Sequence, residues 1–319
     1  MKRLGLLVLT GLLALPGMSS AQGMELASES GAAPGAVLPT GTEQAAGATG
    51  MPSLISGIGD YLHPEGVAWD PTRDAFLITS TVRNSISVVG RDGKPQTLVT
   101  EPAMPRPLGI RVDVPRNRIL AAYSQGLGIF ELSTGRTLHL VTFGKAPNDL
   151  AVDWSGNAYV TDPEGDTIYK VDVNGIATPF ITDARLSGGL GMNGVVWHPA
   201  GFLLVVHYTN GKLFKVTRNG ITEVAMNKSL IGADGIAFQR DGSLAVVTNK
   251  ISVPGEDAVT VLRPCGLWES AVVTQHTPTA ITAPTTAAVT PYGTYVVHGR
   301  IDWLVNQGKP SQEFFISRI

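Results

Sequence analysis

The chain has 319 residues, of which 24 are Lys or Arg and 26 are Asp or Glu, so its net charge at pH 7 is −2. A chain so close to neutral offers no basic field to attract nucleic acid, and we expect no nucleic-acid partner. With 37 Gly, 21 Pro and a single cysteine, Cys265, the composition predicts many tight turns, little long helix and no intramolecular disulfide.

The first 52 residues have the composition of an export signal followed by a tether. Lys2 and Arg3 precede an apolar run, residues 4–15, and small residues follow up to Ala21, which predicts a secretory signal peptide over residues 1–21. The apolar run falls short of the roughly 20 residues that cross a bilayer. We therefore expect a secreted or periplasmic protein with no membrane insertion after cleavage; a retained anchor is the alternative. Residues 22–52, rich in Gly, Ala and Pro, are predicted to form a flexible linker.

The rest of the chain repeats one pattern six times. Each copy has a short polar start, an apolar strand, a turn and a second apolar strand, with further strands after them. The six starts are Glu65, Leu108, Asn148, Asn193, Asp234 and Thr285, so successive copies are 40 to 51 residues apart. This spacing is typical of one four-stranded blade, and residues 53–319 are predicted to form an all-β, six-bladed β-propeller.

The sixth copy has three strands before Ile319, whereas the other copies have four. Closing the ring removes exposed sheet edges, so we expect the segment Ser53–Ile58 to supply the missing strand from the N-terminal side. An open β-array or a sandwich is the alternative architecture.

The repeat also predicts where a site would lie. The first strand begins at the end of the hairpin where the second strand stops, so the six starts should converge on one mouth of the central channel. Four of them carry oxygen ligands: the carboxylates of Glu65 and Asp234, and the amides of Asn148 and Asn193. Oxygen ligands suit a hard cation such as Ca²⁺. Asn-Gly and Asp-Gly are also common turn dipeptides, so spacing alone leaves a metal site and plain turns both open.

These motifs carry a family resemblance that covers about residues 53–319. The segments PEGVAWD, PNDLAVDWSGNAYVTD, LGMNGVVWHPAGFLLVVH and GADGIAF resemble the senescence-marker protein, gluconolactonase and luciferin-regenerating family, within the calcium-dependent phosphotriesterase superfamily. The resemblance implies Glu65, Asn193 and Asp234 as metal ligands, and Asn148 and Asp149 as substrate contacts. It implies a divalent cation, Ca²⁺ first, with Zn²⁺, Mn²⁺ or Mg²⁺ as alternatives.

The resulting hypothesis is a metal-dependent hydrolase of a lactone or related ester, with a small-molecule substrate and a monomeric propeller. The cation would polarise the carbonyl, water would attack, and a general base would take the proton. Asp162, His207 and His298 are the candidate bases, because each ends a second strand near the mouth. Each of these could instead be a rim residue without chemistry. The competing hypothesis is a non-catalytic binding propeller with a structural calcium, since a fold does not determine function.

Overall fold

The computed structural model describes residues 50–319. The predicted signal peptide and residues 22–49 of the predicted linker lie outside this range. Over residues 50–319 the chain forms six sheets, with one short α-helix, and no helix there is long and apolar enough to cross a membrane. Neighbouring strands are antiparallel except for one short parallel pair.

The first strand of the described chain, β1 (Leu54–Ile58), belongs to the last sheet. The next three sheets each follow the order of the sequence. The first contains β2 (Val67–Asp70), β3 (Ala75–Ser80), β4 (Ser85–Val89) and β5 (Pro95–Thr100). The second contains β6 (Pro107–Asp113), β7 (Arg118–Tyr123), β8 (Gly126–Glu131) and β9 (Thr137–Thr142). The third contains β10 (Leu150–Val152), β11 (Ala158–Val160), β12 (Thr167–Val171) and β13 (Ala177–Thr182).

The remaining sheets show one departure from this plan. The fourth contains β14 (Met192–His198), β15 (Phe202–His207), β16 (Leu213–Thr217) and β17 (Gly220–Glu223). The fifth has an extra short strand, β18 (Ala225–Met226), on the outer edge of β19 (Ala233–Phe238), β20 (Leu244–Thr248), β21 (Ala258–Cys265) and β22 (Ser270–Pro278). The sixth contains β23 (Pro284–Thr290), β24 (Gly293–His298) and β25 (Glu313–Arg318), with α1 (Ile301–Gln307) between the last two.

The outermost strand of the sixth sheet is β1, which pairs antiparallel with β25. Leu54 lies opposite Ser317 and Ile58 lies opposite Glu313. Further contacts join the same regions: the Tyr295 hydroxyl donates to the carbonyl oxygen of Pro52 at 2.9 Å. The strand pattern of the sequence is confirmed as a six-bladed β-propeller with four-stranded blades.

The core lies between the blades. Six clusters of buried apolar side chains each draw residues from two adjacent sheets; Leu77 and Ile86 of the first sheet, for example, pack with Ile110 and Phe130 of the second. Because both faces of each sheet are covered, the inner strands read as nearly continuous apolar runs. They line a central channel with a cavity of about 470 Å³, whose walls include Val67, Val112, Val152, Val196, Ile236 and Val289.

Candidate functional site

The first strands enter the channel through a shared backbone motif. In four blades the residue two positions before the first residue of the repeat has a left-handed backbone, with φ between 44° and 83°. These residues are His63, Arg106, Gly232 and Ala283. Three of these four are not glycine, and such residues rarely adopt this conformation because Cβ crowds the following carbonyl. The next position is proline in the first, second, third and sixth blades, at Pro64, Pro107, Pro147 and Pro284, so three blades have both features. The motif turns the chain into the first strand at the same point of these blades.

The residue after the start is glycine in four blades, and crowding by the next blade explains why. A Cβ atom would meet the Leu108 carbonyl at Gly66, the Asp149 carboxylate at Gly109, the Asp234 carbonyl at Gly194 and the Thr286 side chain at Gly235. Asn193-Gly194 and Asp234-Gly235 therefore lie inside β14 and β19 and are not turns. These glycines permit close approach of neighbouring backbones around the axis.

Buried threonines tie the starts of neighbouring blades together. The Thr79 hydroxyl donates to the Leu108 carbonyl at 2.7 Å, the Thr161 hydroxyl to that of Asn193 at 2.6 Å, and the Thr285 hydroxyl to that of Glu65 at 2.6 Å. Each threonine side chain is almost fully buried. The backbone that carries the predicted ligands is thus held by hydrogen bonds between blades.

Three of the predicted site residues have a buried oxygen atom without a hydrogen-bond donor. These atoms are Glu65 Oε2, Asn148 Oδ1 and Asn193 Oδ1. Glu65 and Asn193 are only 8 % and 7 % exposed. A buried acceptor without a donor costs free energy, and natural proteins rarely retain one without a reason. A carboxylate and two amide oxygens in this state fit a hard cation.

Asp234 differs from Glu65 because its carboxylate is held by neighbours. Asn249 Nδ2 donates to Asp234 Oδ2 at 2.6 Å, and the Tyr208 hydroxyl donates to Asn249 Oδ1 at 2.7 Å. Asn249 is fully buried and also donates to the Pro284 carbonyl at 3.0 Å. Because Asn249 Oδ1 accepts a hydrogen bond from Tyr208, its amide nitrogen must face Asp234. The orientation of the Asn249 side chain is therefore fixed.

The two carboxylates titrate well above their usual range in the metal-free protein. Burial raises the pKa of Glu65 strongly, and the nearby charges of Asp234 and Asp149 raise it further. Burial likewise raises the pKa of Asp234 to about 7, although the hydrogen bond from Asn249 opposes the rise. Since like charges gathered in a buried site repel each other, a cation bound there would relieve both effects.

Asp149 is also buried, but its oxygens are occupied by the protein. Leu150 N–H donates to Oδ1 at 2.8 Å, Val195 N–H donates to Oδ2 at 3.2 Å, and Arg111 Nη2 donates to Oδ2 at 3.2 Å. Burial raises the pKa of Asp149, while the Arg111 charge and these hydrogen bonds lower it. Asp149 thus connects the inner strands of the second, third and fourth blades.

Over residues 50–319, no three His, Cys, Asp or Glu side chains form a metal-binding group by themselves. A cation at the mouth would therefore need the amide oxygens of Asn148 or Asn193 as well as the carboxylates.

The three predicted bases lie at second-strand ends, where each makes local hydrogen bonds. Asp162 accepts from the backbone N–H groups of Lys145 at 2.6 Å and Ala146 at 3.0 Å. His207 Nε2 lies 3.1 Å from the Ser187 carbonyl, and His298 Nε2 lies 2.9 Å from Ser317 Oγ. Burial lowers the pKa of both histidines, that of His298 to about 4. All three side chains are at most 1 % exposed, and the buried His298 Nδ1 has no hydrogen-bond partner.

Sequence reasoning assigned no role to three residues that shape the site: Arg111, Tyr208 and Asn249. Asn249 had a usable signal, because it follows the second strand of the fifth repeat, at the same end as the starts. Arg111 and Tyr208 had none, since each acts through a partner on another strand that only the closed ring brings near.

The chain belongs to the SMP-30/gluconolactonase/LRE-like family, whose sequence model matches residues 63–252. No curated protein sequence matches the chain significantly.

Several solved structures share the fold at low sequence identity. A gluconolactonase from Xanthomonas campestris superimposes with a TM-score of 0.59 at 15 % identity, covering 82 % of this chain and 88 % of its own. The major Malassezia sympodialis allergen Mala s 1 gives a TM-score of 0.66 at 16 % identity, covering 84 % and 96 %. A luciferin-regenerating enzyme gives 0.59 at 11 % identity, covering 83 % and 96 %. These likenesses show the fold.

Proposed function

We propose that this protein is an exported, monomeric hydrolase that uses a divalent cation, Ca²⁺ first, to cleave a small lactone or a related ester. Membership of a family that includes gluconolactonases supports the hydrolase class. The observation that supports a bound cation is the set of three buried oxygen atoms that accept no hydrogen bond, on Glu65, Asn148 and Asn193. Export rests on the predicted signal peptide, residues 1–21.

In this proposal Glu65, Asn193 and Asp234 hold the cation, and Asn148 contacts the substrate. A bound divalent cation supplies positive charge that polarises the substrate carbonyl and stabilises the oxyanion. Two carboxylates balance the charge of one divalent ion. The hydrogen bond from Asn249 holds Asp234 Oδ2 in place and so fixes the orientation of this carboxylate.

The proton of the attacking water goes to Asp234 in this proposal. Asp162, His207 and His298 make hydrogen bonds that hold the rim, so their exchange with a substrate would break local structure. In the metal-free protein burial raises the pKa of Asp234 to about 7, so this carboxylate binds a proton more tightly than an ordinary aspartate does. A bound cation would lower this pKa and keep Asp234 ionised.

The test is a calorimetric titration of the purified protein with Ca²⁺, beside a pH-stat screen of lactones and aryl esters. The Glu65→Gln variant should lose stoichiometric binding and activity together. Glu164→Gln removes an exposed carboxylate and serves as the matched control. No Ca²⁺, Zn²⁺, Mn²⁺ or Mg²⁺ binding by the wild type would refute the metal-dependent mechanism.

The engagement of all three predicted bases in local hydrogen bonds favours a second candidate, a non-catalytic binding propeller with a structural calcium. The Asp234→Ala variant separates the two. Under the hydrolase proposal it abolishes turnover, whereas a structural calcium predicts a lower melting temperature and no turnover in the wild type.

A further inference from the structure

Arg111 reaches across three consecutive blades below the mouth of the channel. It lies on β6 in the second blade, and its Nη2 donates to Asp149 Oδ2 in the third blade at 3.2 Å. The same nitrogen donates to the Val195 carbonyl in the fourth blade at 3.3 Å, while Nη1 donates to the Ile110 carbonyl at 2.8 Å. A guanidinium is always protonated in proteins, so Arg111 brings a permanent positive charge to the channel.

The three buried carboxylates around the axis fall into two classes. Asp149 receives the Arg111 guanidinium and two backbone N–H groups, which favour its ionised form. Glu65 Oε2 has no donor, and Asp234 is held only by neutral groups. One carboxylate is thus neutralised by the protein, and two are left to face the mouth.

We propose that Arg111 sets the charge of the cation site at −2 by neutralising Asp149, and so matches the site to divalent rather than trivalent ions. The inference rests on the proposed cation site at Glu65 and Asp234. Glu65, Asp234 and Asp149 contribute three negative charges, and Arg111 removes one of them through its contact with Asp149. Arg106 adds a further positive charge near Glu65, but it is exposed to solvent and is left unchanged in the variants compared. Without Arg111 the same oxygens would face the cation with a net charge of −3.

The reasoning predicts an effect on ion choice, because the attraction between site and ion scales with the charge of the ion. Loss of Arg111 should strengthen binding of both Ca²⁺ and La³⁺, and La³⁺ should gain more. Loss of the Asp149 charge with Arg111 retained should have the opposite effect, weakening La³⁺ more than Ca²⁺.

The experiment is calorimetric titration of the full-length protein with CaCl₂ and with LaCl₃. For Arg111→Met we expect the ratio of La³⁺ to Ca²⁺ affinity to rise at least tenfold, and for Asp149→Asn we expect it to fall. The double variant, Arg111→Met with Asp149→Asn, should restore the wild-type ratio because the site charge is again −2. Arg240→Met is the control: it removes an exposed arginine that follows β19, at the end of the strand opposite Asp234.

Two outcomes overturn the inference in distinguishable ways. A wild type that binds Ca²⁺, with the same ion ratio in Arg111→Met and Asp149→Asn, would leave the proposed function intact and reject the role of Arg111. A wild type that binds neither ion would reject both. If Arg111→Met does not fold, Asp149→Asn still tests the inference, since an unchanged or raised ratio in that variant contradicts it.

Discussion

Acidification should reduce the contribution of His298 to the stability of the propeller. This side chain is fully buried at the end of β24, and burial lowers its pKa from 6.5 to about 4. Between these values the unfolded chain binds a proton at this residue that the folded protein does not, so the His298 contribution to the free energy of unfolding falls as the pH falls. The loss begins below pH 6.5 and is complete only below pH 4.

The magnitude follows from the two pKa values. One pKa unit corresponds to about 1.4 kcal/mol, so the full loss is about 3 kcal/mol, with about 2.5 kcal/mol reached by pH 4.5. Other groups titrate over the same range, and the two raised carboxylate pKa values act in the opposite direction. The contribution of His298 is therefore the difference between the wild type and a variant that lacks only this imidazole.

The assay is urea unfolding, followed by tryptophan fluorescence in the presence of a chelator, at several pH values from 7.5 to 4.5. His298→Gln keeps a nitrogen near Ser317 but cannot titrate, so its stability should fall less with acidification than that of the wild type, by about 2.5 kcal/mol at pH 4.5. His139→Gln, on an exposed side chain, is the control. A constant difference between wild type and His298→Gln across the whole pH range would refute the reasoning.

Three further changes test the packing and charge around the axis. Gly194→Ala should lower the free energy of unfolding by about 1–3 kcal/mol, because the new methyl group meets the Asp234 carbonyl. Gly90→Ala is the control and should cost far less, since there is room for a methyl group at that position. Equal urea midpoints for the two variants would contradict this expectation. Thr285→Val should cost about 1–3 kcal/mol by leaving the Glu65 carbonyl without its donor, and an unchanged urea midpoint would show that water replaces the hydroxyl. Glu65→Gln should raise the melting temperature in chelator, because folding of the wild type must either bury the Glu65 charge or protonate this carboxyl, and Gln requires neither. It should also weaken Ca²⁺ binding at least tenfold, and a lower melting temperature in chelator would contradict the first expectation.

The architecture could be predicted because each blade repeats the same physical demand. An inner strand covered on both faces must be apolar. Few folds other than a propeller accommodate six such strands at the spacing of one blade. The pattern left the role of the glycines open. Asn193-Gly194 has the composition of a turn, yet Gly194 lies within a strand because the backbone of the next blade leaves no room for a side chain. That contact is between two repeats, so the sequence of a single repeat does not reveal it.

The site was accessible from the sequence to the extent that its residues occupy equivalent positions in the repeats. Glu65, Asn193 and Asp234 begin their blades in the same way, so the pattern indicates that they share one place. What each oxygen contacts could not be inferred. Asp149 follows Asn148 directly, but its carboxylate is held by Arg111, which sits 38 positions earlier in the chain. Such a partnership depends on the angle between neighbouring blades.

The pairing of β1 with β25 has a consequence for the order of events during synthesis. Glu65 leaves the ribosome early, and Thr285, which holds the Glu65 carbonyl, emerges 220 residues later. The partner strand of β1, Glu313–Arg318, emerges later still. A growing chain therefore contains every proposed ligand well before it can complete the ring that assembles them. The proposed cation site is therefore complete only after the last strand has paired.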